Sequence, residues 1–517
     1  MRTDPDVSGS HPVSDGGARL RRRLLWWLAL GVAAAAAVRL VDVVDTQLAA
    51  PFDVHWETPT LRTAELLAAG RDPYSPEVYA APPFWLTPYT PLYPALIAVL
   101  PGDAANPFRT GRLISLLCLL LSAGAFFVVA RRAGVPLALL ATGAFFLVRA
   151  TVSGAAHLKS DPMALALSAG VLLLAARAGR ASRPGARSAW LLAAAAAGAA
   201  AFFAKQNFVA APAAVLLWLL LVDRRRAVLF AGLQVLCVAL PLALLWSDGF
   251  SFSVFRALRN PISSAHFALQ WRHMLVQPAF VAVGGWCLAA LALCIVRRRV
   301  APFLRSPFAL YALCATAVLL LTVGKLGSSL NYFTEPVLAC LLALVDAGRA
   351  RLASREVGAS AGAVPMPVLA GTLLVAAAAL ELGLEPGDRP ARFVTRDVVA
   401  ERSAQLQGVG DAIRALGRDD PLLLNLYDTR MSFPLPGTVC VNDPLLYYLL
   451  YEAGSLSTDV VVAELRARRF DGVLSHPGIL TSPAPPPMRA LHAALVEHYR
   501  PGLDFGIMEV LVPKDPP

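Results

Sequence analysis

The chain has 517 residues, 57% of them hydrophobic, with a mean hydropathy of +0.58. That is too apolar for a soluble enzyme of this length, and the apolar residues gather in runs of about 17–25, enough to cross a bilayer. The net charge of +11 does not indicate a nucleic-acid partner, because the arginines lie mainly in short loops between those runs, the positive-inside pattern.

Taken from the N-terminus, residues 1–23 are rich in Ser, Gly, Asp and Pro and read as a disordered cytoplasmic tail. The first apolar run is longer than a signal-peptide core and lacks a small-residue cleavage site, so it is read as retained. Spans are predicted at 24–44, 112–130, 135–152, 161–177, 188–204, 207–222, 227–246, 278–296, 307–323, 331–347 and 364–384, eleven in all. With that count, the clusters Arg21 to Arg23, Arg131-Arg132, Arg180 to Arg187, Arg224 to Arg226, Arg297 to Arg299 and Arg349 to Arg355 share one side. The positive-inside rule makes that side the cytoplasm. Residues 91–101 (PLYPALIAVLP) are apolar but too short to cross and are read as re-entrant or interfacial. In the first outer loop, 45–111, Thr58-Pro59 starts a surface helix to Ala69 that Gly70 stops. The expected fold is therefore mainly α: a polytopic membrane helix bundle over 24–384. It is followed over 385–517 by an extracytoplasmic α/β domain with strands at 422–427, 471–476 and 507–513 and helices near 459–469 and 488–499.

Only four of the 46 basic residues are lysines, and Lys159, Lys205 and Lys325 each sit beside an outer end of an apolar run. Lysines at span ends often just snorkel. Three of them beside other polar residues suggest phosphate ligands instead, with Lys205, in the turn Lys205-Gln206-Asn207, the leading candidate. Opposite them lies D-x-H-W-E: Asp53 or Glu57 could serve as general base, or could simply be solvated or cap helices, and His55 could contact substrate. One histidine and two carboxylates do not define a metal site, so no metal ligand is assigned and a divalent-metal requirement stays open. Asp161 reads equally as the N-cap of the span that Pro162 opens or as part of a site. Asn331 and Glu335 are one helical turn apart, with Tyr332 between them, and Glu335 lies just inside the bilayer. The 247–277 loop adds Arg272, a further candidate phosphate ligand, among aromatic residues that either mark the headgroup level or gate lipid access. Six of the seven cysteines fall in or beside spans, and no disulfide framework is indicated.

At these residues the sequence resembles the GT-C class of integral-membrane glycosyltransferases, family 39 type, which holds the protein O-mannosyltransferases and the aminoarabinose transferase of lipid A. The matching stretches are Asp53 to Glu57, AELLAAGRDPY (64–74), YTPLYP (89–94), GRLISLL (111–117), LKSDPMALALSAG (158–170), FFAKQNF (202–208) and NYFTEPVLA (331–339), in the expected order. The resemblance implies inverting transfer of a sugar from a polyprenyl-phosphate donor to an acceptor hydroxyl on a glycan, lipid or protein outside the cytoplasm. It implies an acidic base in the first outer loop and cations on the donor phosphate. Many members pair Asp with Glu in that loop; here the acids are separated, with Glu57 ranked ahead from its place before the surface helix. The competing readings are a transporter or flippase of a lipid-linked or anionic substrate and a non-catalytic relative in envelope assembly. Polar residues clustered at outer span ends, without an internal repeat, count against transport. The expected location is the inner or plasma membrane, multi-pass, with the N-terminus cytoplasmic.

Overall fold

The computed structural model describes residues 16–103, 105–296, 305–354, 371–377, 396–415, 417–427, 435–506 and 508–515. The predicted spans appear as α1 (Gly16–Ala49), α4 (Arg109–Ala130), α5 (Val135–Leu147), α6 (Asp161–Arg180), α7 (Pro184–Ala204), α8 (Ala210–Val222), α9 (Arg224–Leu245), α11 (Pro278–Val296), α12 (Pro307–Thr322) and α13 (Thr334–Ser354). Of the last predicted span only 371–377 is described, a helical stretch that we label α14. Among the described residues six helices are long and apolar enough to cross a membrane. A seventh crossing would come from α10 (Ser264–Leu275) with α11, bent by 94° where they join, and α5, α8 and α12 are shorter. The predicted tail differs at its end: α1 begins at Gly16, so 16–23 form its first turns, and residues 1–15 lie outside the described residues.

The segment between α1 and α4 carries short helices, among them a single turn at Pro76–Tyr79. The helix predicted from Thr58 is α2 (Thr58–Ala68), ended as expected at Gly70, whose φ of +68° a residue with a Cβ rarely adopts; its Thr60, Leu61, Thr63, Ala64 and Leu66 are buried, so it packs within the protein rather than lying on its surface. The 91–101 stretch gives α3 (Leu92–Ala98), seven residues between prolines, far short of a crossing. Inside the bundle, α6 packs on α7 and α4, α1 on α5, and α13 on α12. Small residues let the backbones close up. A Cβ on Gly111 of α4 would lie 2.4 Å from the Leu158 side chain, and one on Gly143 of α5 would lie 2.7 Å from Val32.

The C-terminal domain adds α15 (Arg396–Arg414), β1 (Leu422–Asn425), β2 (Thr438–Cys440), α16 (Pro444–Glu452), α17 (Asp459–Arg466), β3 (Gly472–Ser475), α18 (Arg489–His498), β4 (Tyr499–Asp504) and β5 (Glu509–Pro513). Its sheet has the order β2-β1-β3-β5-β4, parallel from β2 to β3 and antiparallel beyond. The sequence pattern missed β2 and β4, which are short or exposed, and the helices α15 and α16. The domain shares its core with the segment between α1 and α4: Tyr79, Phe84 and Leu86 pack with Cys440, Leu446 and Tyr447, while Phe52 and Val54 pack with Val409 and Leu423. Backbone pairing fixes the join, since Val441 N–H donates to Pro83 O at 2.9 Å and the Asn442 side chain exchanges two 2.9 Å bonds with the Leu86 backbone.

Candidate active site

The turn 51–57, between α1 and α2, is held by its two carboxylates. Asp53 is fully buried; its Oδ1 accepts the His55 N–H at 2.8 Å, and its Oδ2 accepts Glu57 N–H, Thr58 N–H and the Thr58 hydroxyl, each at 2.7 Å. Two of these are free N–H groups at the start of α2, so Asp53 caps the helix from outside it. Glu57 Oε2 accepts Val54 N–H at 2.9 Å, and Oε1 accepts Leu158 N–H at 2.6 Å. Arg112 of α4 meets both Glu57 oxygens, Nε to Oε1 at 2.9 Å and Nη2 to Oε2 at 2.5 Å, the two-pronged geometry that only guanidinium offers. Its remaining N–H groups reach the carbonyls of Gln47 and Phe52 at 2.7 Å, and that of Ala50. A fully buried ion pair is tolerable because nearly every donor and lone pair is used.

These environments push the two acids apart. Burial, helped by the Glu57 charge, raises Asp53 to about 6 against the pull of its hydrogen bonds. Burial pushes Glu57 up as well, but Arg112 outweighs it and holds the carboxyl below its usual range. Burial alone dominates at His157, lowered to about 3, so the ring is neutral; its Nε2 lies 2.9 Å from Gln47 Nε2.

Two cavities open beside this turn. The larger, of about 630 Å³, is lined by Lys159, Lys205, Lys325 and Arg259 together with Leu258, Leu269 and Leu326. The smaller, of about 360 Å³, is lined by His55, Arg149, His157, Lys159 and Asp161, and by Arg402 from α15. Trp56, Lys159 and Asn331 border both, and so form the partition between them. Neither Asp53 nor Glu57 lines either of these cavities.

The predicted cations behave differently from one another. Lys205 Nζ lies 2.7 and 2.8 Å from the two oxygens of Asp161, which also accepts the Asn331 amide at 2.8 Å. The rings of Tyr89 and Tyr332 each lie 5.4 Å from that ammonium. Burial disfavours the charged Lys205, yet the Asp161 carboxylate outweighs it and the pKa is raised. Asp161 is therefore not the cap: Ser160 holds that position, and Asp161 is the first residue of α6. Lys159 is half-buried and, among the described residues, its ammonium has no hydrogen bond or ion pair. Burial lowers it to about 8, with Lys205 adding to the effect and Asp161 opposing it. Lys325 lines the larger cavity from the turn after α12, which hydrogen bonds from Asn260 and Ser263 fasten to the preceding loop.

The other predicted residues separate into two groups. Gln206 and Tyr332 line the larger cavity, and Gln206 Nε2 donates to Pro88 O at 3.1 Å. Arg272 is exposed on the last turn of α10 and borders neither cavity. Asn331 and Glu335 do not act together: Asn331 turns to Asp161, whereas Glu335 takes the Tyr311 hydroxyl at 3.0 Å and reaches neither cavity. Among the described residues no three His, Cys, Asp or Glu side chains gather as a metal site. Sequence reasoning passed over Arg112, Arg149 and Arg402. The first is an arginine at the head of a predicted span, where an ionisable residue calls for a partner.

A membrane helix bundle joined to a small C-terminal α/β domain is the GT-C fold of integral-membrane glycosyltransferases. The chain is similar to ArnT from Cupriavidus metallidurans in the apo state, with a TM-score of 0.59 over 94% of this chain and 97% of that one at 14% identity. The same protein bound to undecaprenyl phosphate gives 0.58 with the same coverage and identity. The apo oligosaccharyltransferase of Archaeoglobus fulgidus gives 0.53 at 10% identity, over 89% of this chain and 70% of that one. No sequence-family description matches the chain, and no curated protein matches it. At these identities the likeness is one of fold.

Proposed function

We propose that the chain is a glycosyltransferase that moves a sugar from a polyprenyl-phosphate donor to an acceptor hydroxyl on the extracytoplasmic side, with inversion at the anomeric carbon. The observation that carries this reading is the larger cavity, where Lys159, Lys205, Lys325 and Arg259 stand beside leucine side chains. An anionic head joined to an apolar chain fits that combination, and it was with undecaprenyl phosphate bound that one ArnT structure was determined. When the glycosidic bond breaks, the lipid phosphate gains charge, and preplaced ammonium and guanidinium groups stabilise it without reorganising. With the donor in the larger cavity, the acceptor enters the smaller one, and the sugar crosses at Trp56, Lys159 and Asn331. The arginine clusters support an N-terminus inside and a C-terminal domain outside.

The experiment is sugar release from labelled polyprenyl-phosphate monosaccharides by purified protein in lipid, with a mixture of hydroxyl acceptors present. Release that Lys159→Met and Lys325→Met both weaken is the expected result. Absence of release from every donor, together with absence of undecaprenyl phosphate binding, would overturn the reading.

A further inference from the structure

The larger cavity has walls of different chemistry. Lys159, Lys205, Lys325 and Arg259 enter it from turns and loops of the membrane bundle, whereas Leu445, Tyr448, Leu449 and Glu452 enter it from α16 of the C-terminal domain. Those last four stand at i, i+3, i+4 and i+7, one face of the helix. On the other face Tyr447 and Leu450 are buried in the domain core, and the Tyr447 hydroxyl donates to Tyr79 O at 2.6 Å. The Asp443 carboxylate caps the helix by accepting Leu446 N–H at 3.0 Å, and Asn442 just before it carries the paired bonds to Leu86. α16 is therefore a fixed wall. Tyr448 and Glu452 take no part in fixing it: among the described residues neither the phenol nor the carboxylate has a hydrogen bond or an ion pair. A carboxylate repels a lipid phosphate and offers a prenyl chain nothing. Acceptor oxygens beside an aromatic ring suit a sugar instead, whose hydroxyls donate and whose C–H face packs on the ring.

We propose that Tyr448 and Glu452 of α16 read the sugar of the lipid-linked donor, an uncharged, hydroxyl-bearing ring, and so make the C-terminal domain a determinant of donor specificity. This rests on the glycosyltransferase reading above. Glu452 accepts hydroxyls of the ring and Tyr448 packs on its C–H face, while the phosphate lies towards the cations. A sugar acid is disfavoured, because its carboxylate would meet that of Glu452.

The test is binding of a lipid series by the purified full chain in nanodiscs: undecaprenyl phosphate alone, and undecaprenyl phosphate carrying glucose, mannose, galactose, arabinose or glucuronate. The wild type should hold at least one neutral-sugar lipid more tightly than either the sugarless lipid or the glucuronate. Glu452→Ala and Tyr448→Ala should each weaken that lipid about 10–100-fold, with undecaprenyl phosphate affinity and thermal unfolding as in the wild type. Glu452→Gln, which keeps one acceptor oxygen but no charge, should narrow the gap between the glucose and glucuronate lipids. A loss shared equally by the sugarless lipid, or variants that bind every lipid as the wild type does, overturns the proposal while leaving the transferase reading standing. A wild type that binds none of the lipids and releases no sugar removes both.

Discussion

Lys159 and Lys205 are neighbours of opposite character, and the difference is measurable. Lys205 neutralises Asp161 in a buried pair, so Lys205→Met strands a carboxylate and should cost about 3–5 kcal/mol in unfolding, whatever it does to turnover. Lys159 has no such partner among the described residues, so Lys159→Met should leave thermal unfolding unchanged. It should weaken undecaprenyl phosphate binding about 10–100-fold, the equivalent of one charge-assisted contact. A stability loss at Lys159 equal to that at Lys205 would contradict the assignment. His157 supplies a pH dependence. Its folded pKa, about 3, lies below the unfolded value near 6.5, so the stability it contributes is complete above about 6.5 and is lost as pH falls toward 3. Relative to His157→Gln, the wild type should lose on the order of 2 kcal/mol between pH 7 and pH 5 in denaturant titrations.

On the scale of single elements, α4 and α16 do more than their sequences announce. The first turn of α4 presents Gly111 and Arg112 together. The glycine admits Leu158 close enough for its N–H to reach Glu57, and the arginine closes the other side of that carboxylate. Gly111→Ala should therefore displace the 157–158 backbone and destabilise the fold, and Arg112→Lys should fail to substitute because an ammonium cannot meet both oxygens at once. Thermal unfolding in lipid nanodiscs reads both. The sequence pattern located α4 as a span and flagged the 158–170 motif, but it could not show that they meet across Glu57, since contacts between distant segments leave no periodicity. α16 was missed for a related reason. Tyr447 and Leu450 fill the domain core while Tyr448, Leu449 and Glu452 line the larger cavity, so the helix lacks the single apolar stripe that marks an amphipathic helix.

For the molecule as a whole, the C-terminal domain is a wall of the candidate site. Arg402 of α15 borders the smaller cavity and α16 the larger, so a chain ended before Arg396 should bind undecaprenyl phosphate poorly even where it inserts into a membrane. Asn442→Ala tests the same coupling more gently, costing about 1–3 kcal/mol by leaving Leu86 N–H and C=O unpaired; faster amide exchange over 438–452 would report it. The membrane bundle was legible because apolar runs and arginine clusters are long, repeated signals. That Lys159, Lys205 and Lys325 sit at span ends was legible too, and in the structure all three line the larger cavity. The partition between the cavities was not, because Trp56, Lys159 and Asn331 come from three segments far apart in the chain.

The scarcity of lysine has a practical consequence for labelling. Three of the four lysine side chains line one cavity, and the fourth, Lys514, is bound through its ammonium to Val496 O in the C-terminal domain. An amine-selective reagent is therefore a nearly site-specific probe of that chamber, with Lys514 as an internal standard. Lys159, unpaired among the described residues and with its pKa near 8, should acylate ahead of Lys205, and an occupant that shields it would register in a peptide map without any knowledge of the sugar it carries.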